Sequence, residues 1–204
     1  MNALRGRDYC RFGLAFLLSF AGLARAASAP HLTLTAVERR EVKLPINDFN
    51  LTDQGGNTFQ FKELRGKVVV VAFAYTTCPD VCPLITAALR QVQRHLSNEE
   101  RKNSHLLTVT TDPEIDSPKV LAGYAKRYGA ELSGWSFLTG DESTLKSVWK
   151  NFGVGVKRQS RGLVDHTPLT AVVDRRGMMR FAYIGPSPDV TLVLRDIRSL
   201  MTDS

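Results

Sequence analysis

An almost unbroken apolar run at residues 67–75, KVVVVAFAY, constrains the fold of this chain more than any other feature of the sequence. Strands that lack an alternation of apolar and polar residues are found where other elements cover both faces of a sheet. The run therefore predicts a central, fully buried strand with helices packed on its two sides.

Strands and helices alternate along the rest of the chain. Residues 49–53 and 58–61 flank the turn-forming residues 54–57 and predict a hairpin. Helices are predicted at residues 83–96, 118–128, 142–152 and 189–201, and further strands at 106–110, 137–138, 169–173 and 178–183. Leu84, Ala88 and Val92 are candidates for the buried face of the first helix, and Asp141 opens the third. This order predicts one α/β domain over residues 44–204, with a mixed central sheet flanked by helices and an N-terminal β-hairpin. Residues 27–43 are polar and predict an irregular lead-in.

The first 26 residues have the layout of a secretory signal peptide. Arg5, Arg7 and Arg11 precede an apolar run at residues 12–23, and small residues follow in the A-x-A pattern Ala24-Arg25-Ala26. We expect cleavage after Ala26 and a soluble periplasmic protein. The alternative is an uncleaved segment that tethers the chain to the outer face of the inner membrane, because a charged residue lies inside the cleavage site.

The charge of the chain does not suggest a nucleic-acid partner. The formal net charge is +7, but without residues 1–26 the chain has 23 basic and 19 acidic residues, a net charge of +4. These basic residues are scattered along the sequence. Nucleic-acid binding needs a concentrated positive surface, so we exclude it.

Two cysteines remain after the signal peptide and its Cys10 are removed. Cys78 and Cys82 directly follow the apolar run, and sites in α/β proteins form at the carboxyl ends of strands. If this segment opens a helix, a spacing of four residues puts both thiols on one face, and the helix dipole lowers their pKa values. The position favours an activated thiol pair. A structural disulfide is the alternative, because exported proteins commonly contain one.

Two activated thiols can perform redox chemistry or bind a soft metal. Thiolates favour Cu(I) and Zn(II); structural zinc usually needs four protein ligands, whereas two or three suffice for Cu(I). A third ligand would come from His31, His95, His105 or His166. His166 follows the Gly-rich loop at residues 153–162, and loops can fold over a site on a rigid sheet. Spacing alone does not distinguish it from a surface histidine.

Four ordered motifs resemble the Sco/SenC family of copper-binding cytochrome c oxidase assembly proteins. The motifs are FAYTTCPDVCP at residues 73–83, TDPEIDSP at 111–118, FLTG at 137–140 and VDH at 164–166. A CxxxC pattern alone is weak, but the ordered set at these separations is specific. The resemblance covers roughly residues 44–198.

The resemblance implies a thioredoxin-like fold with peroxiredoxin-like additions, and Cys78, Cys82 and His166 as copper ligands. It implies a metallochaperone that holds Cu(I) and delivers it to the dinuclear copper site of cytochrome c oxidase, with Cu(II) binding left open. The alternative is a thiol–disulfide reductase that keeps the target's cysteines reduced, with Cys78 and Cys82 as its redox pair. Partners would be the copper-site subunit of the oxidase or another cuproprotein, other copper chaperones and thiol reductants.

Three further residues are candidates for supporting the ligands. Asp80 lies between the cysteines and either tunes the thiolates or complements the dipole of a first helical turn. Asp165 either orients His166 or is solvated. Pro168 precedes a predicted strand, as does the cis-proline that thioredoxins pack against their cysteine pair, and we consider a cis bond near Cys78 alongside an ordinary trans bond.

Three acids in the second motif, Asp112, Glu114 and Asp116, have two interpretations. They lie near the copper or face a partner, or they form a turn and a helix start. The second interpretation is the simpler one, because Ser117 and Pro118 are typical of a helix N-terminus.

Overall fold

The computed structural model describes residues 37–159 and 162–202. The expected signal peptide, Cys10 and His31 lie outside this part of the chain. Among the described residues, no helix combines the length and the apolar character needed to cross a membrane.

The described residues form ten strands and five α-helices. The strands are Glu38–Pro45 (β1), Asn50–Asp53 (β2), Thr58–Gln60 (β3), Val68–Ala74 (β4), Ser104–Thr110 (β5), Trp135–Thr139 (β6), Val156–Arg158 (β7), Val164–His166 (β8), Leu169–Val173 (β9) and Met178–Ile184 (β10). The helices are Val81–His95 (α1), Asn98–Lys102 (α2), Pro118–Arg127 (α3), Glu142–Phe152 (α4) and Val190–Thr202 (α5).

Eight of the described strands form one mixed sheet in the order β1-β10-β9-β4-β5-β6-β2-β3. Strands β4, β5 and β6 run parallel to one another, whereas β9 is antiparallel to β4. The predicted hairpin is confirmed as β2 and β3, and β2 extends the sheet by pairing with β6. The mixed α/β sheet that the sequence predicts is therefore present.

Strand β4 is the centre of the molecule, as the apolar run predicts. All seven of its residues are buried. Val69, Val71 and Phe73 contribute to a core that includes residues of α4, whereas three of the four alternate residues contribute to a second core with residues of α1, α3 and α5. Because side chains alternate along a strand, one apolar run supplies two cores, and the sheet is covered on both faces.

Helices α3 and α4 begin at the caps that the sequence predicts. The Ser117 side chain accepts from the amide of Val120, and Asp141 accepts from the amide of Thr144. Helix α1 starts at Val81, two residues earlier than predicted. Its buried stripe includes Ile85, so the prediction that Leu84 is buried is wrong: that side chain is 47% exposed.

Strand β1 corrects the prediction that residues 27–43 are irregular. Glu38–Pro45 forms an edge strand antiparallel to β10. Arg39 donates to Asp196 of α5 at 2.7 Å and stacks over the ring of Phe181. The sequence of this strand shows no alternation of apolar and polar residues, because the strand is largely exposed at the edge of the sheet. Its pairing partner, β10, is also distant in sequence.

A second correction concerns the Gly-rich loop that precedes His166. Part of it forms strand β7, which pairs with β8 as a separate two-stranded sheet. Val156 lies opposite His166, and Arg158 lies opposite Val164. His166 is therefore carried on a paired strand, which limits its positions more than a loop would.

Candidate functional site

The two cysteines lie where β4 ends and α1 begins, at the carboxyl edge of the sheet. Cys78 is in the turn before the helix and is half-buried, whereas Cys82 is in the first helical turn and is fully buried. Both are free thiols. Helix α1 begins after Cys78, so the condition that one helical turn contains both cysteines is not met. They meet nevertheless, since the Cys82 amide donates to the Cys78 sulfur at 3.4 Å.

Hydrogen bonds make the two thiols unequal. The Cys82 thiol donates to Cys78, and the amides of Asp80 and Cys82 add further donors, which together lower the pKa of Cys78 to about 5 in spite of its partial burial. The same hydrogen bond and deeper burial raise the pKa of Cys82. At neutral pH the pair is one accessible thiolate and one buried thiol.

His166 presents its Nε2 atom to the buried thiol. The distance from Nε2 to the Cys82 sulfur is 3.6 Å. Nδ1 lies 3.1 Å from the carbonyl oxygen of Thr167. A carbonyl can only accept, so Nδ1 carries the proton and the Nε2 lone pair is free for a metal. Burial lowers the pKa of His166 and keeps the ring neutral.

Tyr75 connects the end of β4 to the strand that carries His166. Its hydroxyl oxygen accepts from the amide of Val164 at 3.3 Å. Its ring packs edge-on to the imidazole, with the centroids 6.0 Å apart. Val164 is buried in a small apolar cluster with Tyr75 and Cys82. These contacts hold β8 over the cysteines, and no pattern in the sequence indicates this role of Tyr75.

The donor set suits a soft metal ion. Within the described residues, no three His, Cys, Asp or Glu side chains are already gathered to hold a metal. Cys82 nevertheless contacts both Cys78 and His166, and Cys78 and His166 line the same cleft, so two sulfurs and one imidazole are available in one place. Thiolate and imidazole are the ligands that Cu(I) accepts in low coordination numbers.

The other two histidines in the described part lie away from this site. His95 contacts the Gln91 carbonyl oxygen near the end of α1. His105 is in β5, near the amino end of the strand, where it contacts Ser136. Neither could complete the dithiol site.

The structure distinguishes between the interpretations left open for the three supporting candidates, and for Asp165 and Pro168 it favours the simpler one. Asp80 is exposed, and its amide rather than its carboxylate supports Cys78. Asp165 is exposed and accepts from the side-chain amide of Gln159, while the Thr167 carbonyl orients the imidazole. The cis hypothesis for Pro168 is wrong, because the bond is trans.

Asp116 connects the segment that leads to the cysteines with the end of β5. Its buried carboxylate accepts from the backbone amide and hydroxyl of Thr76, just after β4, and from the hydroxyl of Thr110, at the end of β5. Burial raises its pKa, while these hydrogen bonds oppose the shift. Asp116 therefore has a structural role, although it joins the segments that follow β4 and β5 rather than capping α3, whose N-cap is Ser117.

A mixed sheet with a dithiol at the junction of its central strand and first long helix defines a thioredoxin-like protein. A family model described as SCO1/SenC matches residues 37–202, and the chain belongs to that family. An SCO2-like protein of Rickettsia felis is 31% identical over 148 residues, which cover 69% of this chain and 70% of that protein.

Two solved structures extend the comparison. Yeast Sco1 with copper bound is 28% identical, with a TM-score of 0.67, and the match covers 79% of this chain and 90% of that one. BsSco is described as a cytochrome c oxidase assembly protein of the Sco family with a disulfide switch. It is 26% identical with a TM-score of 0.71, over 81% of this chain and 98% of that one.

Proposed function

We propose that this protein binds Cu(I) through Cys78, Cys82 and His166 and delivers it to the dinuclear copper site of cytochrome c oxidase during assembly. The observation that carries the proposal is the contact of the Cys82 sulfur with both other donors, at 3.6 Å from His166 Nε2 and hydrogen-bonded to Cys78. The copper-bound structure of yeast Sco1 and the description of BsSco support it.

The charge of the loaded site suits its position. Two thiolates and a neutral imidazole leave Cu(I) with a net charge of about −1, which the N-terminus of α1 stabilises. Because Cys82 retains its proton in the metal-free protein, copper binding releases that proton near neutral pH. Affinity therefore increases with pH, by about tenfold per unit where one proton is displaced.

Transfer would start at Cys78. This half-buried residue lines a cleft with Pro79, Val81, Leu163 and Asp165, whereas Cys82 is enclosed. A thiolate of the recipient can reach the metal from the cleft and replace the Cys78 sulfur first. The buried ligands would follow as the recipient supplies further donors.

The His166→Ala variant tests delivery in the cell. In a strain that lacks the native gene, we expect this variant to leave the oxidase deficient in copper, whereas His95→Ala, on the exposed face of α1, restores it. Full assembly of the oxidase with His166→Ala would refute copper delivery by this site.

A thiol–disulfide reductase is the second candidate function, and the unequal thiols favour it. The Cys78 thiolate would attack a disulfide of the recipient, releasing one thiolate and forming a mixed disulfide. Cys82 would then lose its proton and attack Cys78, which releases the second thiolate and leaves a Cys78–Cys82 disulfide. The recipient gains two electrons and this pair loses them.

Two variants distinguish copper delivery from disulfide reduction. Cys82→Ser should trap the mixed disulfide with a recipient, which non-reducing electrophoresis detects. His166→Ala should retain disulfide exchange while it weakens Cu(I) binding by at least about tenfold. Failure of Cys82→Ser to trap any recipient would count against the reductase.

We also propose that the protein is exported and that its signal peptide is cleaved after Ala26. N-terminal sequencing of protein isolated from the periplasmic fraction should then begin at Ala27. A mature chain that retains residues 1–26 in the membrane fraction would support the tethered alternative instead.

A further inference from the structure

Arg158 reaches from the hairpin that carries His166 to the loop after β5. Its guanidinium forms an ion pair with Asp112 and a second with Glu114, at 3.0 Å. The Asp112 side chain is fully buried, the Glu114 side chain is 68% exposed, and Arg158 lies between them at 37%. The anchor of this contact is therefore Asp112.

Arg158 provides the positive charge beside this buried carboxylate, and the backbone amides of Glu114 and Ile115 add hydrogen bonds to it. Among the described residues, the Oδ2 atom of Asp112 and the neighbouring Thr111 hydroxyl are buried without a hydrogen-bond partner. Burial raises the pKa of Asp112, and the positive charge of Arg158 opposes that shift. One terminal nitrogen of the Arg158 guanidinium contacts Asp112 and Glu114 together, so a single side chain joins both acids to the hairpin.

The hairpin depends on such side-chain contacts for its position. Strands β7 and β8 pair with each other and not with the main sheet. On the cysteine side the hairpin is held by Val164, through its amide bond to Tyr75 and its apolar contacts. On the opposite strand, Arg158 is paired across from Val164 in the register that also sets His166. Each strand of the hairpin therefore makes a side-chain contact with the main domain, β8 through Val164 and β7 through Arg158.

We propose that Arg158 is a positioning residue for copper binding: its ion pairs with Asp112 and Glu114 hold the hairpin so that His166 faces Cys82. This inference rests on the proposed function, because it concerns the same ligand. Arg158 touches neither the sulfurs nor the metal; it acts through His166.

Amide hydrogen exchange of the reduced, copper-free protein tests the anchor without any metal. In Arg158→Ala, the amides of Val164 and Thr167 should exchange at least about tenfold faster than in the native protein. Arg158→Lys should give rates between the two, because it retains the positive charge but replaces the guanidinium with a more strongly hydrated ammonium group. Arg180→Ala is the matched control, since it removes another part-buried arginine–aspartate pair, with Asp174 at 3.2 Å, on β10. Arg180→Ala should leave the exchange rates of both amides unchanged.

Anaerobic competition with bathocuproine disulfonate then measures Cu(I) affinity. Arg158→Ala should lower affinity by about tenfold or more, as the loss of a residue that orients a metal ligand does. In a His166→Ala background the same substitution should change affinity by less than about twofold, because the residue through which it acts is gone. If Arg158→Ala lowered Cu(I) affinity only by disturbing the fold in general, the loss would be the same in the native and the His166→Ala backgrounds.

The outcomes discriminate between the two proposals. If both amides exchange at native rates in Arg158→Ala, the proposal that Arg158 holds the hairpin in place is refuted. An undiminished loss of affinity in the His166→Ala background would overturn its action through His166. Absence of Cu(I) binding by the native protein would refute the proposed function, and the exchange rates would still decide whether Arg158 fastens the hairpin. If Arg158→Ala does not fold, Arg158→Lys carries both measurements.

Discussion

At the scale of single residues, the site is defined by a difference between two cysteines four positions apart. Cys78 is partly exposed and receives hydrogen bonds, so its thiolate is stabilised. Cys82 is fully buried and donates, so it retains its proton. His166 stays neutral because it is partly buried, and its Nδ1 proton is held by the Thr167 carbonyl. Cys78 and His166 are therefore already in the protonation states that metal binding requires, whereas Cys82 must still lose its proton.

The lowered pKa of Cys78, about 5, predicts an unusual pH profile for alkylation. An ordinary thiol reacts about tenfold faster per pH unit up to its pKa near 8.5, since only the thiolate attacks. The rate at Cys78 should instead be nearly constant from about pH 6 to 8 and decline below about pH 5. Rates with iodoacetamide on the reduced, copper-free protein measure this.

The profile is more informative than the rate itself, because a thiolate of low pKa is also a weaker nucleophile. Cys78→Ser is the control: the remaining Cys82 should react slowly and only at high pH. A native rate that rises about tenfold per unit through pH 8 would contradict the lowered pKa.

At the scale of elements, the site is assembled by contacts between the segments that follow β4 and β5. The Thr111 amide donates to the Ala74 carbonyl oxygen at 3.0 Å, and Asp116 accepts from Thr76 and Thr110. These bonds join the two carboxyl ends beneath the cysteine turn. The position of Cys78 therefore depends on an acid thirty-eight positions later in the chain.

Asp116→Ala should destabilise the fold by about 2–3 kcal/mol, because buried donors at Thr76 and Thr110 lose their acceptor. Urea unfolding of the reduced protein measures the change. Asp141→Ala is the control, since it removes an exposed helix cap that contributes about 1 kcal/mol. A loss for Asp116→Ala no larger than that of the control would contradict this role.

Elements whose signals are local could be predicted from the sequence. The apolar run gave β4, and caps gave the starts of α3 and α4. Strands β1, β7 and β8 were missed because pairing partners, rather than their own pattern, determine them. The cysteine pair was recognised from its position after β4, whereas His166 required the family resemblance. Tyr75, Asp116 and Arg158 act through contacts that only the folded chain creates.

At the scale of the whole molecule, one buried strand with two cores gives the site a rigid base. The parallel strands β4 and β5 end at the same edge, and the hairpin that carries His166 covers it from outside the sheet. Copper that binds all three ligands would join this outlying hairpin to the central sheet. Binding should therefore stabilise the whole domain as well as the site.

With free Cu(I) buffered at about 1,000 times the dissociation constant, linkage adds about 4 kcal/mol, or roughly 8–16 °C in Tm for a domain of this size. Anaerobic thermal unfolding checks this. In the double variant Cys78→Ser, Cys82→Ser, the same Cu(I) concentration should raise the Tm by less than about 2 °C. An equal shift in that variant would show that copper stabilises the fold at other groups.

Anaerobic calorimetric titration of the reduced protein with Cu(I) at pH 7 tests the central claim most directly. The account predicts saturation at one copper per chain with release of about one proton, from Cys82, and weaker binding in His166→Ala. No saturable binding, or binding unchanged when either cysteine is replaced by serine, would contradict it.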